Sequence, residues 1–361
     1  MVYAEKKTPE KLLSTPILHQ SALWSRIKTQ LGWGAEAFDF SAEGEEGDLL
    51  LMIHQVSTDK TVAYAPYGPE LLPDDDSRGN FLEELSETLK EQLPDDCICI
   101  RWDLPWKSPY AEDASWFDEK GQWQGPPSSQ LQELRMNAGT LRKNLLKAPS
   151  DILPTDTLFL DLSEEAAEIL KSMKSKTRYN ILLAARKGIH VREGTEKDLG
   201  IWMELYRETA SRNGIVSHEE FFFEPLFEAG SGKQGRGDTV KLLIAERDGI
   251  AYAAMFLALG SGRATYLYGA SSSKDTSLMA PYALQWAAIQ EARAFGCKDY
   301  DFFGVAPSHA PSHPLSGLSR FKTGFGGALF HRQGCWDYPL DKEIYPSFAR
   351  SQLIEGGFHL R

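Results

Sequence analysis

Two apolar runs, Lys241 to Arg247 and Tyr252 to Ala258, flank an Asp248-Gly249 pair, a sound hairpin signal because both turn positions tolerate a left-handed backbone. An antiparallel pair at this point restricts what can surround it. Before it, Ile201 to Arg212 reads as an amphipathic helix. After it come a strand at Thr265 to Tyr268, a long helix at Met279 to Phe295 stopped by Gly296, and a strand at Tyr300 to Phe303. Upstream, Thr157 to Leu162 reads as a strand, and Ser163 as the cap of a helix whose first turn holds Glu164 and Glu165. A break in that helix is expected near Ser175 or Gly188.

The first half repeats this order loosely. A helix is expected over Pro16 to Thr29, then strands at Phe38 to Phe40, Leu49 to Val56 and Thr61 to Tyr64, the last two forming a hairpin around Asp59-Lys60. Prolines and a glycine at 66–69 force a turn. Apolar residues at 81, 82, 85, 89 and 93 have helical spacing. Cys97 to Trp102 follows as a buried strand running into Asp103-Leu104-Pro105. Residues 107–128 read as a long surface loop, Leu131 to Lys147 has modest helical capacity, and Pro149 and Pro154 bracket a linker. Helix, hairpin, strand, helix, strand is the order of acetyltransferase-like (GNAT-like) domains. The expected fold is therefore α/β (α+β), with two tandem domains. The first covers 1–156, completed by about 334–361, and the second 157–333.

The 361 residues are enough for two domains, and 11% aromatics supply the apolar surface that a disordered chain lacks. No apolar run approaches the ~18–20 residues of a spanning helix, and mean hydropathy is −0.37. The start has charges but no apolar core before a small-residue cleavage site, so the expectation is a cytoplasmic protein. Cysteines at 97, 99, 297 and 335 have neither zinc-site nor disulfide-scaffold spacing and read as free thiols.

The net charge of −12 argues against indiscriminate nucleic-acid binding, but it is unevenly placed. Lys171 to Arg192 holds seven basic residues and no acid. Such a run is either a solvated helix face or a local site for a polyanion.

P-loop, strand-linked GxGxxG and HExxH motifs are missing. Gly230-Ser231-Gly232 and Gly260-Ser261-Gly262 read as loop tips. His309 and His313 are four apart, but Pro307, Pro311 and Pro314 forbid the helix that would align them, and no metal site is expected. The strand at Tyr266 to Tyr268 leads into Gly269-Ala270-Ser271-Ser272-Ser273-Lys274, which lacks the basic-and-glycine loop that holds the pyrophosphate of acyl-CoA.

Further stretches carry a resemblance. They are Lys176-Thr177-Arg178-Tyr179-Asn180, Ala185-Arg186-Lys187-Gly188-Ile189, Arg212-Asn213-Gly214-Ile215, Ile244 to Gly249, Tyr266 to Ser271 and, most specifically, Gly317 to Gly327 (GLSRFKTGFGG). Leu23 to Lys28, Tyr64 to Pro69 and Arg101-Trp102-Asp103 support it in the first half. Together they resemble the FemX/FemA/FemB family of aminoacyl-tRNA-dependent transferases that build peptidoglycan interpeptide bridges. The resemblance implies two acetyltransferase-like domains with a precursor cleft between them. No sustained charged heptads lie between 190 and 240, so the compact form without a coiled-coil arm is expected.

Carried over residue by residue, the resemblance makes Lys322 a cation for the negative oxygen that forms when an amine attacks an aminoacyl ester. Phe321 and Phe325 would wall that site from water. Asp103, expected where a strand ends, would accept a proton or orient the amine. Lys28 would meet the precursor's diphosphate. Tyr268 falls on a cleft tyrosine, and alternation puts Tyr266 on the same face. The family's diphosphate-clamping arginine aligns near Val216-Ser217-His218, where His218 stands in. Lys174, Lys176, Arg178 and Arg186 are the candidate tRNA contacts. The expected partners are aminoacyl-tRNA, a nucleotide- or lipid-linked precursor and the inner face of a membrane, with the protein a monomer and no cofactor required. An acyl-CoA-dependent acyltransferase and a non-catalytic RNA-binding module are the alternatives, separable by CoA calorimetry and by tRNA binding without transfer.

Overall fold

A computed structural model describes residues 1–214, 216–231, 237–308 and 313–354. Ile215, Gly232, His309 and Pro311 lie outside the described residues, as does the stretch 355–361. The chain divides into two compact units, Met1–Asp156 with Pro307–His309 and Phe330–Arg361, and Thr157–Ala306 with Ala310–Leu329.

In the first unit the elements are β1 (Tyr3–Lys7), α1 (Ala22–Gln30), β2 (Gly34–Ala42), β3 (Glu45–Ser57), β4 (Lys60–Ala65), α2 (Arg78–Lys90), β5 (Cys97–Lys107), α3 (Ser129–Met136) and β6 (Leu146–Lys147). The next stretch adds β7 (Asp156–Asp161), α4 (Ala166–Ser172), α5 (Ser175–Arg186), β8 (His190–Glu193), α6 (Leu199–Asn213), α7 (Glu224–Ser231), β9 (Thr239–Arg247), β10 (Ile250–Leu259), β11 (Arg263–Ser271), α8 (Ala280–Phe295), β12 (Asp299–Asp301) and α9 (Ser316–Lys322). β13 (Ala328–Pro339) and α10 (Tyr345–Ile354) return to the first unit.

The first unit's sheet runs β1-β2-β3-β4-β5-β13, with β6 also on β13. Only β4 and β5 are parallel in it. Phe81, Leu82, Leu85 and Leu89 of α2 bury their common face against Phe38, Leu49, Leu51, Ile100 and Trp102. A buried, doubly hydrogen-bonded ion pair, Arg101 with Asp337 at 2.7 Å on both arms, also engages Gln352 and Tyr345 of α10.

The second unit's sheet runs β7-β12-β11-β10-β9-β8, parallel only between β11 and β12. Asp248 and Gly249 turn β9 into β10 with φ of 53° and 75°, the left-handed pair that matches strand twist. The helices α5 and α8 cover one face of this sheet. Trp202 of α6 and Phe223 pack with Phe256 on the other.

Several expectations change. β1 was not foreseen: YAEKK has no apolar run, and its strand comes from pairing with β2 and from Lys7 bonding Asp39 and Asp48. β5 continues through Pro105 to Lys107, because the register slips there between Leu104 and Lys107, where a missing N–H does no harm. Asp103 is thus interior to a strand rather than at its end. Ser163 caps no helix; its N–H is held by Asp161, and α4 starts at Ala166. Gly230 and Ser231 fall within α7 rather than at a loop tip.

All four cysteines are free and buried. Among the described residues, no helix is long and apolar enough to cross a membrane, and no His, Cys, Asp and Glu cluster could hold a metal.

Candidate functional site

Lys322 sits in the last turn of α9, not in the glycine-rich turn that follows it. It is 4% exposed, and its Nζ donates to the Gly304 carbonyl at 2.7 Å and lies 5.2 Å from the Tyr266 ring centroid. No carboxylate lies within ion-pairing distance of it among the described residues. Burial lowers its pKa to about 7, opposed by the Asp301 carboxylate. Asp301 accepts from Thr157 and from the Phe303 N–H, and Ser319 accepts the Ala306 N–H, so α9 is tied to the loop after β12. Gly327 explains the glycines downstream: at φ 89° a Cβ there would stand 2.5 Å from the Phe159 carbonyl oxygen.

A cavity of about 990 Å³ opens beside this segment. β12 pairs only Arg263 to Thr265 of β11, so Tyr266 onward has β10 on one side and a gap on the other. Within that gap Leu267 is an extra residue: Tyr266 opposes Leu257, and Tyr268 opposes Phe256. The bulge overturns the expected alternation. Tyr266 points to the α8 face, its hydroxyl over Gly269, whereas Tyr268 points to the α6 face against Phe222 and Phe223. Both still line the cavity, from opposite sides of the strand. Burial raises both hydroxyls, Tyr266 to about 12, so each remains a neutral donor.

Phe325 is fully buried against Phe302 and Tyr282 and offers no surface to a substrate. Phe321, one turn earlier, is the one of these two phenylalanines on the cavity wall. His218 is also on the wall, stacked on Phe222 at 3.9 Å. The guanidinium there comes from Arg212, which donates to the Ser271 carbonyl and the Ser273 hydroxyl. Gln285, fully buried, donates to the Tyr300 hydroxyl, and its amide oxygen has no partner among the described residues at the cavity. Sequence reading had Arg212 only within a stretch of resemblance and not as a wall residue, and it missed Gln285, whose position carries no local pattern.

In the first unit Lys28 is 4% exposed, with Nζ 4.2 Å from the Trp33 centroid and 6.0 Å from Trp24. Burial lowers it to about 8. His54, stacked on Trp33, is lowered to about 4 by burial and by the Lys28 charge. His19 is lowered to about 3 by burial and the charges of Arg332 and Lys28. Asp103 accepts from the Tyr64 hydroxyl at 2.8 Å and the Leu153 N–H at 3.1 Å, through one oxygen. Its other oxygen is buried without a partner among the described residues, and burial, with Asp151, raises the carboxyl to about 6. Arg332, stacked on Tyr67 at 4.2 Å, acts on both His19 and Asp103. Lys28 and Asp103 thus belong to one electrostatic neighbourhood through His19 and Arg332, two residues with no sequence signal.

The basic run divides. Lys176 and Arg186 are exposed on α5. Lys174 sits at the start of α5, its N–H on the Gly324 carbonyl at 3.0 Å and its Nζ 3.4 Å from the Thr323 hydroxyl. Arg178 is committed elsewhere: its guanidinium caps the end of α4 through the Lys171 and Met173 carbonyls. His313 accepts the Leu315 N–H.

A model of the FemAB family matches residues 13–246 and 233–350. The chain is 25% identical to the UDP-N-acetylmuramoylpentapeptide-lysine N(6)-alanyltransferase of Weissella viridescens, over 78% of this chain and 80% of that one. It is 22% identical to the lipid II:glycine glycyltransferase of Staphylococcus epidermidis over 54% of its length, and the match spans about 60% of that relative. Among solved structures, FemX superposes with a TM-score of 0.75 at 19% identity, covering 96% of this chain and 99% of that one. A tandem GNAT protein from the clavulanic acid pathway superposes at 0.50 and 11% identity, covering 94% and 98%.

Proposed function

Because the chain belongs to the FemAB family, we propose that it is an aminoacyltransferase, moving an amino acid from a charged tRNA to the side-chain amine at the third position of a peptidoglycan stem peptide. The observation that carries this reading is Lys322: a buried amine with no carboxylate within ion-pairing distance among the described residues, beside a large cavity. In the reaction, the amine nitrogen bonds to the ester carbonyl carbon, the bond from that carbon to the ribose oxygen breaks, and the proton lost by the amine is gained by the ribose hydroxyl. Negative charge appears on the carbonyl oxygen only after attack. A lysine with a pKa of about 7 can stabilise that charge in its ammonium form and relay a proton.

Asp103, ionised above about pH 6 and with one oxygen unpartnered, suits the acceptance of the amine's proton. Lys28 suits a phosphate of the precursor, and Arg212 with His218 a second anionic or planar group at the cavity wall. The ester is already activated, so the reading calls for no cofactor. Its site of action is the cytoplasmic face, where charged tRNA is found.

The test is incubation with a mixture of charged tRNAs and either UDP-linked or lipid-linked precursor, followed by mass measurement of the stem peptide. A gain of one amino-acid residue is expected. Transfer from an acyl-CoA instead, or an unchanged mass with every donor, overturns the proposal.

A further inference from the structure

Helix α5 presents an exposed stripe that its core packing does not explain. Thr177, Asn180, Ile181 and Ala184 face inward. On the opposite side Tyr179 is 54% and Leu182 55% exposed, with Lys176 and Arg186 exposed beside them. The Arg186 guanidinium stands 5.8 Å from the Tyr179 ring centroid, and the tyrosine keeps more than half of its surface exposed. No acid lies between Lys171 and Arg192. The helix also leads to the candidate catalytic segment, since Lys174 at its start bonds Gly324 and contacts Thr323, next to Lys322. From Lys174 to Tyr179 is about 7–8 Å along the axis at 1.5 Å per residue. That is about two stacked nucleotides at ~3.4 Å each.

We propose that Tyr179 and Arg186 form a stacking platform for an unpaired base near the 3′ end of the donor RNA, with Lys174 and Lys176 on its phosphates. An aromatic face backed by a guanidinium binds any base by its π-surface, and flanking cations follow the backbone. A membrane is the weaker occupant, because Leu182 is the one exposed large aliphatic side chain among the described residues of α5. The inference rests on the tRNA-dependent reading above and names the surface that reading uses.

The experiment measures binding of the full-length protein to an RNA hairpin with a short unpaired 3′ tail, and to the same hairpin without it, by fluorescence anisotropy at several salt concentrations. The parent protein should prefer the tailed hairpin. Tyr179→Ala should weaken the tailed hairpin alone, by about 5- to 100-fold, with Tyr179→Trp restoring it. Its salt dependence should stay that of the parent, whereas Lys176→Gln should lower the slope by about 0.7. Leu182→Gln should change little. The stacking proposal fails if Tyr179→Ala binds as the parent does, or loses equally on both hairpins. It also fails if Leu182→Gln matters as much as Tyr179→Ala and the protein binds vesicles of anionic phospholipid. If the parent binds neither RNA and transfers nothing from charged tRNA, the tRNA-dependent reading itself falls.

Discussion

Burial holds the Lys322 ammonium near pKa 7, and this gives the residue two separable signatures. Replacing it with Met keeps the length and removes the charge. Transfer should slow ~10²-fold or more, with precursor affinity falling by less, because the charge answers an oxyanion present only after attack. Stability carries the second signature. An unfolded lysine titrates near its ordinary 10.5 and the folded one near 7, so between those values the unfolded chain binds more protons. The parent should therefore gain stability relative to Lys322→Met as pH rises from about 7 to about 10, as read by urea unfolding across that range. A flat difference would remove the buried-charge account. The two neighbouring phenylalanines should part as well. Phe325→Ala opens a hole among Phe302, Tyr282 and Phe321 and should cost about 3–5 kcal/mol in denaturant unfolding. Phe321→Ala, on the cavity wall, should raise the Michaelis constant with little loss of stability.

The strand β11 and the pair of α10 with β5 and β13 show what local pattern can and cannot convey. Asp337→Asn strips one partner from the buried Arg101 pair that holds Gln352 and Tyr345, and unfolding should report a loss of about 3–5 kcal/mol. That pair joins residues 236 positions apart and has no sequence signature. The hairpin at Asp248-Gly249 was legible because its signal is two adjacent residues with a required backbone conformation. The long α8 was legible from its apolar spacing and its Gly296 stop, where φ is 100°. Ser163 has a capping residue's chemistry but no helix to cap, because the chain turns at Asp161, which holds the Ser163 N–H, and α4 starts only at Ala166. At the site, the FKTGFGG segment was legible as a unit. Which of its aromatics faces the cavity depends on where α9 ends, and no spacing rule fixes that. His19 with Lys28, Asp103, and Arg332 come from three separate stretches and meet only through the fold.

The whole chain carries −12, so an RNA partner must be met by a local field rather than by net attraction. Affinity for charged tRNA should fall steeply with salt. A Lys174→Gln/Lys176→Gln double variant should flatten the slope by about 0.7 per charge on a single strand, while Arg178→Gln, which uncaps α4, should leave the slope alone and lower stability. An unchanged slope in the double variant would move the RNA elsewhere. The cysteines divide unequally between the two compact units: Cys97, Cys99 and Cys335 belong to the first and Cys297 to the second. Each is out of reach of solvent, and burial holds each as a protonated thiol, with Cys97 and Cys297 pushed up to about 11. An alkylating reagent added during mild denaturation therefore counts which half has opened. One adduct per molecule marks the second unit, three mark the first, and a direct step from none to four marks a chain that melts as a single cooperative body.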